Sequence, residues 1–419
     1  MSFVSAGKDK SLRQHRGSRS TMGVVGTLVL VLALLAEQTQ QQVQKLQLEE
    51  HVSVKAPESS RRAGVAHAAG NFAQVIIHNE LIPSLDGSNL LLTLPFGEDK
   101  VPLKIAIDTG SQALWIKKEE CGNGTLPGSL ALDCQNAKKP SQLGYLDGGL
   151  TGRLGYTTVW FGGGKIASRH HQFTVAEKID PILKYQLMGL SGSFDGGPTL
   201  LSQLKEQKII ADESFSIYQY PNKTLNLILG GIDESLVKPG SIRVTTPIKD
   251  KVAYYIDVDK VTFGSETIIT ATTQSLMDSG NSLLSFPRAA KNKVFSQLQK
   301  YGLSCFLRNE NNPQFDQVFC DFSEPFTTEN GPEIVYYIGG QPFSLTFDSL
   351  VMKDDRFCRQ VVPAFGSDDI SHPTRCPVRL EFTNSMSNQL ILGKAFIEQK
   401  YLTFNRGANL ITFIEDPKV

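Results

Sequence analysis

Beyond about residue 75 the apolar positions of this chain come in short runs and alternations, as in Gln74-Val75-Ile76-Ile77, Leu90-Leu91-Leu92-Thr93-Leu94 and residues 101–107, separated by Gly, Pro and Asn. That spacing predicts strands and tight turns. Helical periodicity is confined to residues 199–207, where Leu200, Leu201 and Leu204 follow a Gly-Gly-Pro start, and to residues 287–298, with Val294, Phe295 and Leu298. The first 70 residues read differently. Lys8, Lys10, Arg13, Arg16 and Arg19 precede an apolar run over residues 22–36, and a polar, Gln-rich stretch follows from Glu37. This is the layout of a secretory signal peptide over residues 1–36. Its apolar run spans roughly 22 Å as a helix against the ~30 Å of a bilayer core, so an uncleaved signal anchor is the weaker reading. Residues 37–70, with Gln40-Gln41-Gln42, a short amphipathic stretch through Leu46 and Leu48 and the dibasic Arg61-Arg62, read as a removable leader.

A chain of 419 residues and 46.0 kDa exceeds one ordinary hydrophobic core. Two β lobes are therefore expected, over residues 71–245 and 246–419. Lys+Arg 42 balance Asp+Glu 42, which argues against nucleic acid as a partner, because phosphate-backbone binding needs a cationic excess. The 6 cysteines behind a signal segment point to disulfides made in an oxidising compartment. Cys121 and Cys134 bracket a Gly/Asn/Pro-rich loop as a local pair, and Cys305, Cys320, Cys358 and Cys376 divide the rest. No Cys-x-x-Cys pair accompanies them and His170-His171 stands alone, so neither metal nor cofactor is expected. Asn123-Gly124-Thr125 and Asn222-Lys223-Thr224 are glycosylation sequons that fit the secretory reading.

The chemistry lies in a motif written twice. Ile105-Ala106-Ile107-Asp108-Thr109-Gly110-Ser111 and Leu276-Met277-Asp278-Ser279-Gly280-Asn281-Ser282 each carry an apolar run into Asp-(Thr/Ser)-Gly. Glycine lets the backbone turn sharply after the acid, and the hydroxyl of Thr109 or Ser279 can bond across to the other copy. Two such loops meeting at their tips would place two carboxyl groups side by side, where they share one proton. That makes a general acid beside a general base. Each copy is followed by an apolar segment ending in glycine, Leu187-Met188-Gly189 and Ile391-Leu392-Gly393, able to brace its Asp loop from behind.

With these parts in order, residues 75–415 resemble the pepsin-like aspartic proteases. Leu114-Trp115, Leu150-Thr151-Gly152, Leu229-Gly230-Gly231 and Ile391-Leu392-Gly393-Lys394-Ala395-Phe396 add to the match. The resemblance implies a bilobal, mostly β fold whose cleft binds an extended peptide or protein substrate, with Asp108 and Asp278 activating a water between them. Thr109, Gly110, Ser111, Ser279, Gly280 and Asn281 would support the pair. Tyr145, with Asp147 and Gly148, matches the substrate-covering flap, Trp115 the tryptophan that bonds its tyrosine, and Leu187 and Leu276 pocket positions beside the scissile bond. The resemblance also implies disulfides Cys121–Cys134 and Cys320–Cys358 and, with those, Cys305–Cys376. It implies a monomeric zymogen, secreted or sent to a lysosome- or vacuole-like compartment, that meets a membrane only if the N-terminal segment remains as an anchor.

The departures from the family pattern are specific. The flap reads Tyr145-Leu146-Asp147-Gly148-Gly149 where the family has Tyr-Gly-Thr-Gly-Ser. Asn281 stands in place of a threonine whose hydroxyl bonds the second carboxylate; its amide NH₂ can still donate. Lys394 stands where an Asp is common, and its ammonium would either face the acid pair and favour the ionised form or face water and do nearly nothing. The leader's Lys45, Lys55, Arg61 and Arg62 are offset by Glu37, Glu49, Glu50 and Glu58. Cleavage after Arg61-Arg62 by another protease is the alternative to acid-triggered self-release. A binding protein or protease inhibitor on the same fold is the alternative function. Such a protein would typically lack an Asp or have a disturbed Asp loop, whereas both acids and both hydroxyls are present here.

Overall fold

A computed structural model describes residues 76–415, apart from 85–88, 123–127, 146–147, 182, 194–196, 221–223, 309–314, 323–330, 353–357, 359–373 and 384–388. The signal and leader segments, the sequons at Asn123 and Asn222, and Asp147 lie outside the described residues. Among those described, no helix is long and apolar enough to cross a membrane.

Strands dominate and form three sheets. The largest has 13 strands and contains Leu90–Phe96, Val101–Asp108, Gln186–Gly189 and Leu114–Lys117 at its centre. Its far end is built from Tyr401–Asn405, Leu410–Glu415 and Ile242–Pro247, so the end of the chain returns to the sheet of the first Asp motif. A 7-stranded sheet holds Thr273–Asp278, Leu390–Gly393, Leu284–Pro287 and Thr374–Thr383, and a 4-stranded sheet carries Lys260–Phe263 and Ile334–Ile338. Leu90–Phe96 is nearly continuous in apolar residues because both of its faces are covered: only Thr93 is exposed. Trp115, Phe96, Phe161, Phe173 and Phe215 are fully buried, each contributing on the order of 1.5–3 kcal/mol by leaving water.

Both expected helices are present. Leu200–Glu206 starts at Thr199, whose hydroxyl accepts from the Ser202 N–H at 3.1 Å while the Ser202 hydroxyl accepts from the Thr199 N–H at 2.8 Å. This reciprocal cap satisfies two otherwise orphaned donors. Lys291–Lys300 follows a 3₁₀ turn and buries Val294 and Leu298. The first strand starts later than the apolar run suggests, at Ile77, where pairing with Leu229 begins.

Cys121–Cys134 is bonded as expected, but the other two pairings implied by the resemblance are replaced by Cys305–Cys320 and Cys358–Cys376. Strand register is the reason. Ser304–Leu307 sets Cys305 directly opposite Cys320, with their Cα atoms 4.0 Å apart, and Thr374–Thr383 sets Cys376 on the other side of Cys320. Cys305 and Cys376 are thus two strand spacings apart, roughly 9–10 Å, beyond the reach of a disulfide. Cys376 bonds Cys358 instead, across a Cα separation of 4.3 Å.

Candidate active site

The two Asp motifs end parallel strand pairs of the same design. Val101–Asp108 runs beside Gln186–Gly189 with Asp108 opposite Gly189, and Thr273–Asp278 runs beside Leu390–Gly393 with Asp278 opposite Gly393. The glycines are required by close approach. A methyl group on Gly189 would lie 2.3 Å from the Gln112 carbonyl carbon, and one on Gly393 would lie 2.0 Å from the Leu283 oxygen. Each Asp loop is therefore backed by another strand's main chain.

At the tips the loops bind one another. The Thr109 N–H donates to Ser279 Oγ at 3.0 Å, and the Ser279 N–H donates to Thr109 Oγ1 at 2.9 Å. Both hydroxyls then donate onward, Thr109 to the Met277 carbonyl at 2.8 Å and Ser279 to the Ile107 carbonyl at 3.1 Å. Both side chains are fully buried. Within each loop the glycine N–H donates to its own acid, Gly110 to Asp108 Oδ1 at 2.7 Å and Gly280 to Asp278 Oδ1 at 2.9 Å.

This arrangement presses each carboxyl group against the opposite loop. A methyl on Gly110 would sit 2.7 Å from Asp278 Oδ1, and one on Gly280 would sit 2.6 Å from Asp108 Oδ1. Burial first, then the neighbouring Asp108 carboxyl group through charge and hydrogen bonding, raise the Asp278 pKa well above the usual carboxylate range. The N–H groups of Gly280 and Asn281 oppose that rise without cancelling it. The pair retains a proton where an isolated carboxylic acid would have lost it.

Tyr145 ends the strand Lys139–Tyr145 and pairs with Gly148 on the strand Gly148–Phe161. Tyr145 packs against Trp115, Leu150, Ala176 and Leu187. Burial and then the Asp108 carboxylate raise its pKa, and Trp115 acts the other way; the Trp115 indole N–H, expected to bond the tyrosine, has no hydrogen-bond partner among the described residues. Tyr145, Trp115 and Leu187 therefore meet in one cluster. Leu276 is buried two residues before Asp278 on the same strand, opposite Tyr255 and Ile391.

Four positions differ from expectation or were not visible in the sequence. The Asn281 amide does not donate to Asp278; it donates to Ser285 Oγ at 2.8 Å and to Glu381 Oε1 at 3.2 Å. The Lys394 side chain is 1% exposed and pairs with Glu398 at 3.8 Å, so it takes neither of the two courses open to it. Glu381, 4% exposed beside the second Asp loop, belongs to no motif and sits in an alternating strand that would assign it to solvent. Ser111, at the place in the first loop that Asn281 holds in the second, has a buried hydroxyl with no hydrogen-bond partner among the described residues.

The model of the eukaryotic aspartyl proteases matches residues 91–415, including both Asp loops: the chain belongs to that family. It is similar to pepsin A of Sus scrofa, 26% identical over 362 residues that cover 81% of this chain and 84% of that protein. Pepsin A of Gallus gallus is 24% identical over 344 residues, covering 76% and 82% of the two chains. Chymosin of Callithrix jacchus is 25% identical over 338 residues, covering 73% and 75%.

Proposed function

We propose that the protein is an aspartic endopeptidase that hydrolyses peptide bonds of extended substrates with a water activated between Asp108 and Asp278. The observation that carries this reading is the contact of each carboxyl group with the opposite loop's glycine, which leaves one shared proton on a rigid pair. The ionised member takes a proton from water as the oxygen attacks the scissile carbonyl carbon. The proton held by the other acid moves to the carbonyl oxygen. Collapse of the tetrahedral diol returns a proton to the departing nitrogen and regenerates the pair, with no covalent intermediate. Tyr145 closes over the substrate, and Leu187 and Leu276 favour bulky apolar side chains flanking the cleaved bond. The protein acts as a monomer in the secretory pathway, after loss of its leader by cleavage after Arg61-Arg62 or by self-release; three disulfides fit that compartment.

Digestion of denatured globin from acidic to neutral pH, with and without a statine-type peptide, tests the reading. Cleavage should require one proton on the pair, so the rate falls as pH rises through the elevated Asp278 value and falls again when both acids are protonated. Asp278→Asn should abolish cleavage. Full activity in that variant would refute the assignment.

A further inference from the structure

The two Asp loops match position by position until their fourth residue, where Ser111 faces Asn281 in the alignment of the halves. The hydroxyl of Ser111 has no partner among the described residues, whereas every polar atom of the Asn281 side chain is engaged. Asn281 Oδ1 accepts from the Leu283 N–H at 2.9 Å, and Nδ2 donates to Ser285 Oγ at 2.8 Å and Glu381 Oε1 at 3.2 Å. The amide orientation is fixed by its partners, because the reverse would set NH₂ against an N–H and an oxygen against a carboxylate. Ser285 Oγ, itself fully buried, donates to the same Glu381 oxygen. Parallel pairing of Leu284–Pro287 with Thr374–Thr383 puts Ser285 and Glu381 opposite one another.

From Asn281 the connection to the acid pair is one residue long. Its N–H donates to the Asp278 carbonyl oxygen at 3.2 Å and acts to lower the Asp278 pKa, and its own carbonyl accepts from the Lys394 N–H at 2.6 Å, at the glycine brace behind the loop. Holding the Asn281 side chain therefore holds the N–H that touches Asp278. A carboxyl group taken almost wholly out of water is costly unless hydrogen-bonded, and Glu381 Oε1 accepts from both Ser285 and Asn281.

We infer that Glu381 is a positioning residue for the second catalytic loop, anchoring Asn281 through Ser285 so that the amide of Asn281 turns away from the acid pair while its backbone N–H stays on Asp278; this rests on the peptidase reading above. With Glu381 gone, the Asn281 amide loses an acceptor and is free to swing toward Asp278, stabilising the doubly ionised pair, which has no proton to give to the scissile carbonyl.

The test compares wild type, Glu381→Gln, Glu381→Ala and Ser285→Ala, with active sites counted by a tight-binding statine-type peptide and amide hydrogen exchange followed over residues 278–285. Glu381→Ala should lower kcat per titrated site about tenfold with KM within about twofold, shift the alkaline limb of the pH profile to lower pH, and speed exchange in this segment. Glu381→Gln, which keeps an acceptor oxygen, should recover most of both. Adding Ser285→Ala to Glu381→Ala should cost little more. Wild-type kcat per site with unchanged local exchange in Glu381→Ala would overturn the assignment, as would Gln and Ala variants that behave alike. A wild type no more active than Asp278→Asn would instead defeat the peptidase reading, and the exchange comparison would still decide whether Glu381 holds the loop.

Discussion

Thr109 and Ser279, 170 residues apart in sequence, each accept a hydrogen bond from the other's backbone N–H, at 2.9 and 3.0 Å. Removing either hydroxyl orphans a buried N–H and frees a carbonyl, a loss of about 1–3 kcal/mol. Thr109→Ala and Ser279→Ala should unfold at lower urea concentration by that amount, and Thr109→Ser should retain most of the stability. Equal midpoints for Thr109→Ser and Thr109→Ala would show that the hydroxyl is not what joins the loops.

Gly110 leaves no room for a side chain, since a methyl there would lie 2.7 Å from an Asp278 oxygen. Gly110→Ala must push the two acids apart. Activity on a peptide substrate should fall at least about a hundredfold, equivalent to roughly 2.7 kcal/mol of transition-state stabilisation, while the unfolding transition remains cooperative. Activity within a few fold of wild type would mean that the pair tolerates separation.

His171 is buried with its ring nitrogens against Ser168 at 3.1 Å and Gln203 at 3.3 Å, and burial lowers its pKa to about 4. In the unfolded chain the value returns to ~6.5. The unfolded state therefore gains a proton first as pH falls, and stability declines between pH ~6.5 and ~4, levelling off below that. The linked loss is on the order of 3 kcal/mol. His171→Gln should flatten this part of the stability profile relative to wild type, as read by denaturant unfolding at a series of pH values; parallel profiles would place the imidazolium elsewhere.

Lys394 is committed to Glu398, which also binds Arg379, so its ammonium serves packing of the second half. Lys394→Ala leaves that buried cluster incomplete and should cost about 3 kcal/mol of stability with no change in the shape of the pH–rate profile. A shifted profile at unchanged stability would put the lysine's field on the acid pair.

The Asp loops, the glycine braces and the two helices were legible because each is written in neighbouring residues. Asp-Thr-Gly encodes its own turn, and Thr199 with Ser202 encodes its own cap. Asn281 was legible as a departure but not in its consequence. Its amide could have met Asp278; where it goes depends on Glu381, 100 residues further on. Val378 to Thr383 alternates apolar and polar residues and so reads as a half-exposed strand, yet Glu381 is buried because Leu284–Pro287 and Phe315–Phe322 flank it and its polar face is covered.

The amino-acid order by itself determined a β-rich duplicated protein with one acid per half, since strand periodicity and the Asp-loop chemistry are short-range properties of the chain. Only the tertiary structure decided which cysteines bond, where Lys394 and Asn281 point, and that Glu381 stands behind the second acid. Those outcomes are set by the register between strands distant in sequence, and a shift of one residue in that register would hand each side chain a different set of neighbours.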